Sequence, residues 1–355
     1  MNGVIFLQIN YFIIVFIAFF SRFWGHVKKR NRLFFIFSGI LLIMVHSFVE
    51  IDSTPDLGEY QRLFIDTGKV SWIKILSFNY TDDLGGTEPL FVLYDKIVYL
   101  FTSNYTIYLI ICSIIFIYSY YNVINKYSPY VVVSVLLFLS LTFNQSIFVL
   151  RQHMSVGLLF FSYPYIIKRD ITRYLVVMVI ACLVHFSSIV FMPIYFVYGI
   201  KRKKYFALCF APIAVFALLI SSRLSAIVDV YLQRYTYYVE RNTLAFAIKG
   251  LIMLACMIPY CYVLKGKVFE NGINKLVLTI SALGTVYNMT MGTIGSGRIF
   301  YSLFIIIMLQ IPITAFYIRD KFYRKSFLLV SLCVFYLWAY YFVGELFFYE
   351  ALEWM

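Results

Sequence analysis

Three cationic or titratable side chains interrupt apolar runs in this chain: Arg151, His185 and Arg298. An unpaired charge at the centre of a bilayer costs roughly 2.5 to 3.5 kcal/mol even on lenient insertion scales, so each residue needs a function or a partner. A guanidinium group binds phosphate oxygens bidentately and keeps its charge at any accessible pH. An imidazole, with an ordinary pKa of about 6.5, exchanges a proton near neutral pH. These residue types predict phosphate or diphosphate binding beside a proton-transfer group.

Each of these residues also has a simpler interpretation. An arginine at the end of a membrane span often acts only as an anchor whose charged head reaches the headgroup region. A histidine in an apolar run is as readily a packed, hydrogen-bonded ring as a working acid or base. Three such residues at one membrane face would favour a shared function, so the membrane topology decides between these interpretations.

The composition excludes an ordinary soluble domain. Of the 355 residues, 62% are hydrophobic and 13% are charged, whereas charged residues make up about a quarter of a soluble domain. The six cysteines lie singly in apolar stretches, without the spacing of a metal site or a disulfide framework. No internal repeat is evident. The sequence predicts an all-α polytopic membrane protein whose residues 1–355 form one integral domain.

Apolar windows near the length of a membrane-crossing helix predict about twelve transmembrane segments, some of them short or broken. The predicted spans are 4–21, 33–49, 105–123, 130–147, 154–167, 174–185, 187–200, 205–221, 244–264, 274–291, 299–317 and 326–343. The first apolar stretch has no basic leader and no small-residue cleavage site, so it is predicted to be a retained span.

The charges of the loops predict the orientation. With the N-terminus outside, the inner loops hold 20 of the 30 basic residues and three of the 17 acids. Those loops are 22–32, 124–129, 168–173, 201–204, 265–275 and 319–325. The positive-inside rule favours this orientation, which explains the net charge of +13 without a nucleic-acid partner. Arg151, His185 and Arg298 then all lie at the outer side of the membrane.

Two segments are too short or too polar to be simple spans. Two crossings within 174–200 would have about 13 residues each and cover about 20 Å of a hydrocarbon core of about 30 Å. One crossing is the alternative, but it would export the later basic loops. We therefore predict two half-depth helices that meet at His185-Phe-Ser-Ser188 and line a cavity. The segment 89–103 contains Asp95 and Lys96 and is predicted to be interfacial or re-entrant.

Apolar stripes at helical spacing lie in both large outer segments. The stripe in 222–243 lies opposite charged residues and predicts an amphipathic helix on the outer membrane surface. In the outer loop 50–104, a shorter stripe includes Tyr60 and lies beside Asp56.

The outer acids could also hold a divalent cation with the help of substrate phosphates. Asp52, Asp56, Asp82 and Asp83 are the candidates. Acids are expected on this side in any case, so we predict no cofactor.

An ordered series of short motifs carries a resemblance to a known family. The motifs are Asp56-Leu-Gly-Glu-Tyr60, Glu88-Pro-Leu-Phe91, Leu150-Arg-Gln152, Ala181-Cys-Leu-Val-His-Phe-Ser-Ser188, Pro193, Gly297-Arg-Ile-Phe-Tyr301 and Pro312. Each motif is short, and their order over most of the chain makes the case. The series resembles the EpsG family, polytopic bacterial proteins of exopolysaccharide and capsule clusters that are allied to the Wzy-type polysaccharide polymerases.

The resemblance implies polymerisation of oligosaccharide repeat units carried on undecaprenyl diphosphate, at the outer leaflet, by a protein of GT-C-like architecture. Glycosyl transfer from a diphosphate needs stabilisation of the leaving group and removal of a hydroxyl proton. Arg151 and Arg298 would bind the diphosphate. His185 would act as the general base, with Asp56 or Glu88 as alternative catalytic groups.

Further side chains near these motifs are secondary candidates for the site: Tyr60, Gln152, His153, Arg234, Arg241 and Tyr301. The expected partners are the lipid-linked oligosaccharide, membrane lipid and a chain-length regulator. A transporter or flippase for the same lipid-linked sugar would also use cationic cavity residues, but it needs them along a path open to both faces. An O-antigen-type ligase would differ only in its acceptor.

Overall fold

A computed structural model of the chain describes residues 3–21, 23, 27–49, 55–80, 84, 86–208, 210, 243–291 and 302–353. Within these ranges every regular element is helical, and there is no strand. This confirms the predicted all-α class. Residues 222–242 of the predicted amphipathic helix lie outside the described residues.

Eighteen α-helices follow the chain through the described ranges. The first nine are α1 Gly3–Ser21, α2 Val27–Ser47, α3 Pro55–Lys69, α4 Trp72–Leu76, α5 Pro89–Tyr99, α6 Tyr105–Tyr127, α7 Val131–Phe138, α8 Asn144–Phe148 and α9 Leu150–Phe160. The others are α10 Tyr163–Lys168, α11 Ile171–Val184, α12 Met192–Gly199, α13 Lys203–Leu208, α14 Thr243–Leu264, α15 Lys267–Glu270, α16 Gly272–Met291, α17 Ile307–Tyr317 and α18 Lys321–Glu353. A π-helical turn, Leu139–Phe143, joins α7 to α8, and a 3-10 helix, Phe186–Phe191, joins α11 to α12.

Short polar side chains start several helices. The Asn104 side chain accepts a hydrogen bond from the backbone N–H of Thr106 at 2.9 Å, at the start of α6. Asp170 accepts one from the N–H of Arg173 at 3.1 Å, at the start of α11. These bonds satisfy N–H groups of the first turn, which have no partner within the helix. The two helix starts are therefore encoded locally.

Three described helices are long and apolar enough to cross a membrane: Lys29–Ser47, Tyr105–Tyr127 and Lys321–Tyr341. Shorter apolar helices of 10–17 residues occupy most of the other predicted spans that the structure describes. These helices indicate a membrane-embedded protein. The count of twelve crossings stays a prediction.

The predicted span 154–167 is not one continuous helix. The structure ends α9 at Phe160, turns at residues 161–162 and starts α10 at Tyr163. Pro164 lies in the first turn of α10 and has no N–H to continue the hydrogen bonding of α9. Around His185 the structure has the two short helical segments α11 and α12, with the 3-10 helix between them.

The packing of short helices brings the polar residues of interest together. Helix α9 packs against both α6 and α11, and α5 packs against α3 and α11. Gly157 of α9 allows a close approach to α6, because a Cβ atom there would lie 2.9 Å from the Cβ of Ser119. The helix ends that carry Glu88, Arg151 and His185 consequently meet at one end of this group.

We expect Gly157→Ala to lower the free energy of unfolding by about 1 to 3 kcal/mol, because the added methyl group forces α9 and α6 apart. Gly58→Ala is the matched control. A Cβ atom at Gly58 meets nothing within 4 Å, so this change should be neutral or stabilise α3 by up to about 1 kcal/mol. Thermal unfolding of both variants in detergent measures the difference. Equal unfolding temperatures would contradict the tight contact.

Candidate functional site

Three segments that are far apart in the sequence supply one polar cluster. Glu88 precedes α5, Arg151 is the second residue of α9, and His185 follows the last residue of α11. The carboxylate of Glu88 lies between the other two side chains. We call Glu88, Arg151 and His185 the bridged triplet.

Both oxygens of the Glu88 carboxylate are used. Arg151 Nη1 donates to Glu88 Oε2 at 2.7 Å, and His185 Nδ1 lies 2.7 Å from Glu88 Oε1. The backbone N–H of Phe186 also donates to Oε1, at 3.2 Å. The carboxylate therefore joins α5, α9 and the junction between α11 and the 3-10 helix.

The local backbone explains this arrangement. Glu88 is the N-cap residue of α5 but makes no side-chain capping bond, and Pro89 in the first turn has no N–H to be capped. The carboxylate is thus available to other segments. Val149 leaves the helical region at φ −120° and ψ 54°, which separates α8 from α9 and places Arg151 in a first turn. His185 is extended, at φ −157° and ψ 116°, where α11 ends.

The bridged triplet is only partly buried. The exposed fractions of the side chains are 28% for Arg151, 17% for Glu88 and 20% for His185. Water is displaced enough to strengthen the ionic contacts, while a ligand can still reach all three groups. This combination is typical of a binding or catalytic site.

Two aromatic rings flank the guanidinium group. Arg151 Cζ lies 5.7 Å from the ring centre of Tyr60 and 5.8 Å from that of Phe91. The positive charge of Arg151 also acts on the Tyr60 hydroxyl. Because Phe91 follows Glu88 by three residues, both lie on one face of α5. The rings restrict the guanidinium group, so it can present a fixed charge to an anion.

The bridged triplet keeps Glu88 ionised. Burial alone would raise the pKa of Glu88, but the hydrogen bond from His185 and the positive charge of Arg151 outweigh it and lower this pKa from 4.5 to about 2. An ionised carboxylate accepts hydrogen bonds only, so His185 must carry its proton on Nδ1 when it is neutral. No described residue bonds to Nε2, so the basic nitrogen faces away from Glu88.

Of the remaining predicted residues, the structure describes Asp56, Gln152 and His153. Asp56 lies in α3, and its charge acts on Tyr60. Gln152 and His153 are buried in the core, 4% and 2% exposed; His153 Nδ1 lies 3.2 Å from the Tyr120 hydroxyl and 3.1 Å from that of Thr142. Several candidates lie outside the described residues: Arg234, Arg241, Arg298, Tyr301, Asp52, Asp82 and Asp83.

The EpsG family model matches residues 31–350, nearly the whole chain. The chain belongs to the EpsG family. This is the Wzy-like polysaccharide polymerase family. Comparisons with curated proteins and with solved structures find no significant match.

The interior beside the bridged triplet contains a second carboxylate that sequence reasoning used only for topology. Asp95 is fully buried and accepts a hydrogen bond from the Tyr108 hydroxyl at 2.8 Å. Burial raises the pKa of Asp95 well above its ordinary value, and the charge of Arg151 partly opposes this shift. Glu88 and Asp95 are seven residues apart, two turns along one face of α5. This spacing could have shown from the sequence that the two carboxylates share one helix face.

The described residues contain no group of three or more histidine, cysteine, aspartate or glutamate side chains that could hold a metal ion. Of the acids proposed for a divalent cation, the described part of the chain includes Asp56 alone. The absence of a cofactor stays a prediction.

We expect Glu88→Gln to destabilise the protein in a pH-dependent way. A carboxylate whose pKa is lowered adds stability above its ordinary pKa of 4.5, and this stability is lost as the pH falls toward about 2. The difference in unfolding temperature between wild type and Glu88→Gln should therefore be large above pH 4.5 and shrink below it. Thermal unfolding in detergent at a series of pH values measures this difference.

Glu59→Gln is the control, because Glu59 is an exposed acid of α3. Its unfolding temperature should follow that of wild type at every pH. A Glu88→Gln difference that stays constant or grows as the pH falls would contradict the bridged triplet.

Proposed function

We propose that this protein joins undecaprenyl-diphosphate-linked oligosaccharide repeat units into a surface polysaccharide by glycosyl transfer at the outer face of the cytoplasmic membrane. The bridged triplet carries the proposal, because it combines a fixed cation for a diphosphate with an oriented base for a hydroxyl. Family membership supports the same class of reaction.

The transfer forms one bond and breaks another. A hydroxyl oxygen of the acceptor unit attacks the anomeric carbon of the donor unit, and the bond from that carbon to the diphosphate oxygen breaks. His185 Nε2 takes the hydroxyl proton. The electron pair of the broken bond leaves on undecaprenyl diphosphate, whose added charge Arg151 stabilises, with Arg298 as a second cation.

Glu88 acts as a positioning residue in this proposal. A carboxylate with a pKa of about 2 is a weak base near neutral pH, so proton removal falls to His185. Glu88 accepts the hydrogen bond from Nδ1–H of His185. This bond directs Nε2 toward the acceptor, and the carboxylate stabilises the imidazolium ion once the proton has moved. The same carboxylate fixes the distance between the base and Arg151.

The backbone adds to the anion site. Helices α5 and α9 have 11 residues each and both begin at the bridged triplet. Helix N-termini carry partial positive charge that favours phosphate groups. Tyr60 and Phe91 flank the guanidinium group beside these helix starts. The diphosphate would bind there, with its lipid tail in the bilayer.

The membrane orientation rests on loop charges. The inner loops 168–173, 201–204 and 265–275 are rich in lysine and arginine, and the bridged triplet lies at the opposite end of α11 from Asp170. The positive-inside rule then places the site outside. We also propose a GT-C-like arrangement of about twelve spans and, on the outer surface, the amphipathic segment 222–243 as a guide for the lipid.

Reconstitution tests the proposed reaction. Purified protein in liposomes would receive its lipid-diphosphate-linked repeat unit, with and without chelator, and the products would be separated by size. A ladder of polymer would establish the polymerase, and a ladder in chelator would exclude a required divalent cation. Transport of intact lipid-linked substrate without a ladder would instead establish the flippase. Transfer to a different acceptor would establish a ligase.

We expect His185→Gln to lower kcat by about 10² to 10³ with little change in KM for the lipid-linked donor. Arg151→Ala should raise KM as well and abolish long-chain product, because it removes a charge that binds both the donor and the leaving group. Arg151→Lys should recover part of the loss. Initial rates at varied donor concentration measure both constants.

Arg173→Ala is the matched control for loss of an arginine. Its side chain is 71% exposed near the start of α11, opposite the site, and activity should stay within about twofold of wild type. Polymer of normal length from Arg151→Ala, in protein that still inserts, would overturn the role of Arg151.

A further inference from the structure

A second cationic cluster lies at the other end of the membrane domain. Arg169 follows α10, Lys201 follows α12, and Lys275 lies in the first turn of α16. These residues come from three separate loops of the face assigned to the cytoplasm. The cluster is one α11 length, about 21 Å, from His185, so it is independent of the bridged triplet.

Lys275 is held in the centre of this cluster. It is only 8% exposed, and Nζ donates to the backbone carbonyl of Ile200 at 2.7 Å. The ammonium group lies 4.9 Å from the ring centre of Tyr198 and 5.8 Å from that of Phe269. One of its three N–H donors is thus fixed by the Ile200 carbonyl.

Arg169 is fixed beside it. Its guanidinium group stacks on the Tyr195 ring, with Cζ 3.8 Å from the ring centre, and donates to the Tyr195 carbonyl. It packs so closely on Gly199 that a Cβ atom there would lie 2.8 Å from Nη2. The absence of a side chain at Gly199 therefore leaves space for this guanidinium group at the end of α12.

The cluster contains positive charge without matching negative charge. Arg169 packs on Gly199, and Lys275 Nζ bonds to the carbonyl of Ile200, the residue before Lys201. The three side chains therefore belong to one stretch of surface around residues 199–201, where their like charges repel one another. In the described part of the chain none of the three forms an ion pair with a carboxylate, and the neighbouring Asp170 is paired with Arg173 at 3.5 Å. The positive-inside rule requires cations in these loops, but it does not require three loops to bury one lysine among other cations. An external anion would relieve the repulsion.

We propose that Arg169, Lys201 and Lys275 bind the phosphate group of an anionic phospholipid in the inner leaflet. A guanidinium group can bind phosphate oxygens in pairs, and two ammonium groups add point charges. The cluster lies at helix ends on the side of the membrane where basic pockets recognise lipid headgroups. A soluble phosphate is the other source of the same chemistry.

Lipid titration of the full-length protein in detergent tests the proposal. Dioleoylphosphatidylglycerol should raise the unfolding temperature in a saturable way, and dioleoylphosphatidylcholine should not. In Arg169→Gln/Lys201→Gln the apparent dissociation constant for phosphatidylglycerol should rise at least about tenfold, since two charge-assisted contacts are lost.

Arg319→Gln/Lys325→Gln is the matched control, because it removes two exposed charges from another inner loop. It should bind phosphatidylglycerol as wild type does. Equal weakening in both double variants, or equal stabilisation by the two lipids, would overturn the proposal and leave only general attraction of the inner face for lipid.

A single variant and a titration with inorganic phosphate complete the test. Lys201 is exposed, so Lys201→Gln should fold normally and still bind phosphatidylglycerol more weakly; unchanged binding would overturn its role. Inorganic phosphate that stabilises wild type as strongly as the lipid, with the same loss in the variants, would support a phosphate site but overturn the lipid as its ligand.

Discussion

One carboxylate joins the parts of this protein that could do chemistry. Glu88 accepts hydrogen bonds from Arg151 and from the backbone N–H of Phe186, and it contacts the His185 ring. Arg151 lies 63 residues further along the chain than Glu88, and His185 lies 97 residues further. Removing one member of a fully buried ion pair costs about 3 to 5 kcal/mol. The partial exposure of this cluster makes its cost smaller, but the direction is the same. The ends of α5, α9 and α11 must therefore meet.

The short helices follow from this requirement. A continuous helix through residues 171–199 would carry His185 within a span, whereas the extended backbone at His185 turns both its ring and the next N–H group toward Glu88. Similarly, the break at Val149 gives Arg151 a helix start. In a membrane these interruptions are tolerated where the released backbone groups are buried in protein or line a cavity. The candidate site and the irregular helices thus occur together.

The sequence predicted the all-helical class, and it singled out Arg151 and His185 because charge is costly in apolar runs. It named Glu88 only beside Asp56, as an alternative to His185, since the positive-inside rule explains acids there without any contact. The break in the predicted span 154–167 was missed because hydropathy is insensitive to Pro164. The pairings at Glu88 depend on tertiary packing between distant segments, which periodicity and composition do not encode. The roles of Arg298 and of the segment 222–243 stay predictions.

A double-mutant cycle on the rate of polymerisation tests the central claim, that Glu88 acts by positioning His185. Single Glu88→Gln and His185→Gln variants and the double variant would be compared under single-turnover conditions. The account predicts that the double variant is only slightly slower than His185→Gln, because Glu88 then has no base left to orient and keeps only its contact with Arg151. Rate losses that multiply in the double variant would mean that the two residues act independently, and the bridged triplet would not be the working unit of this site.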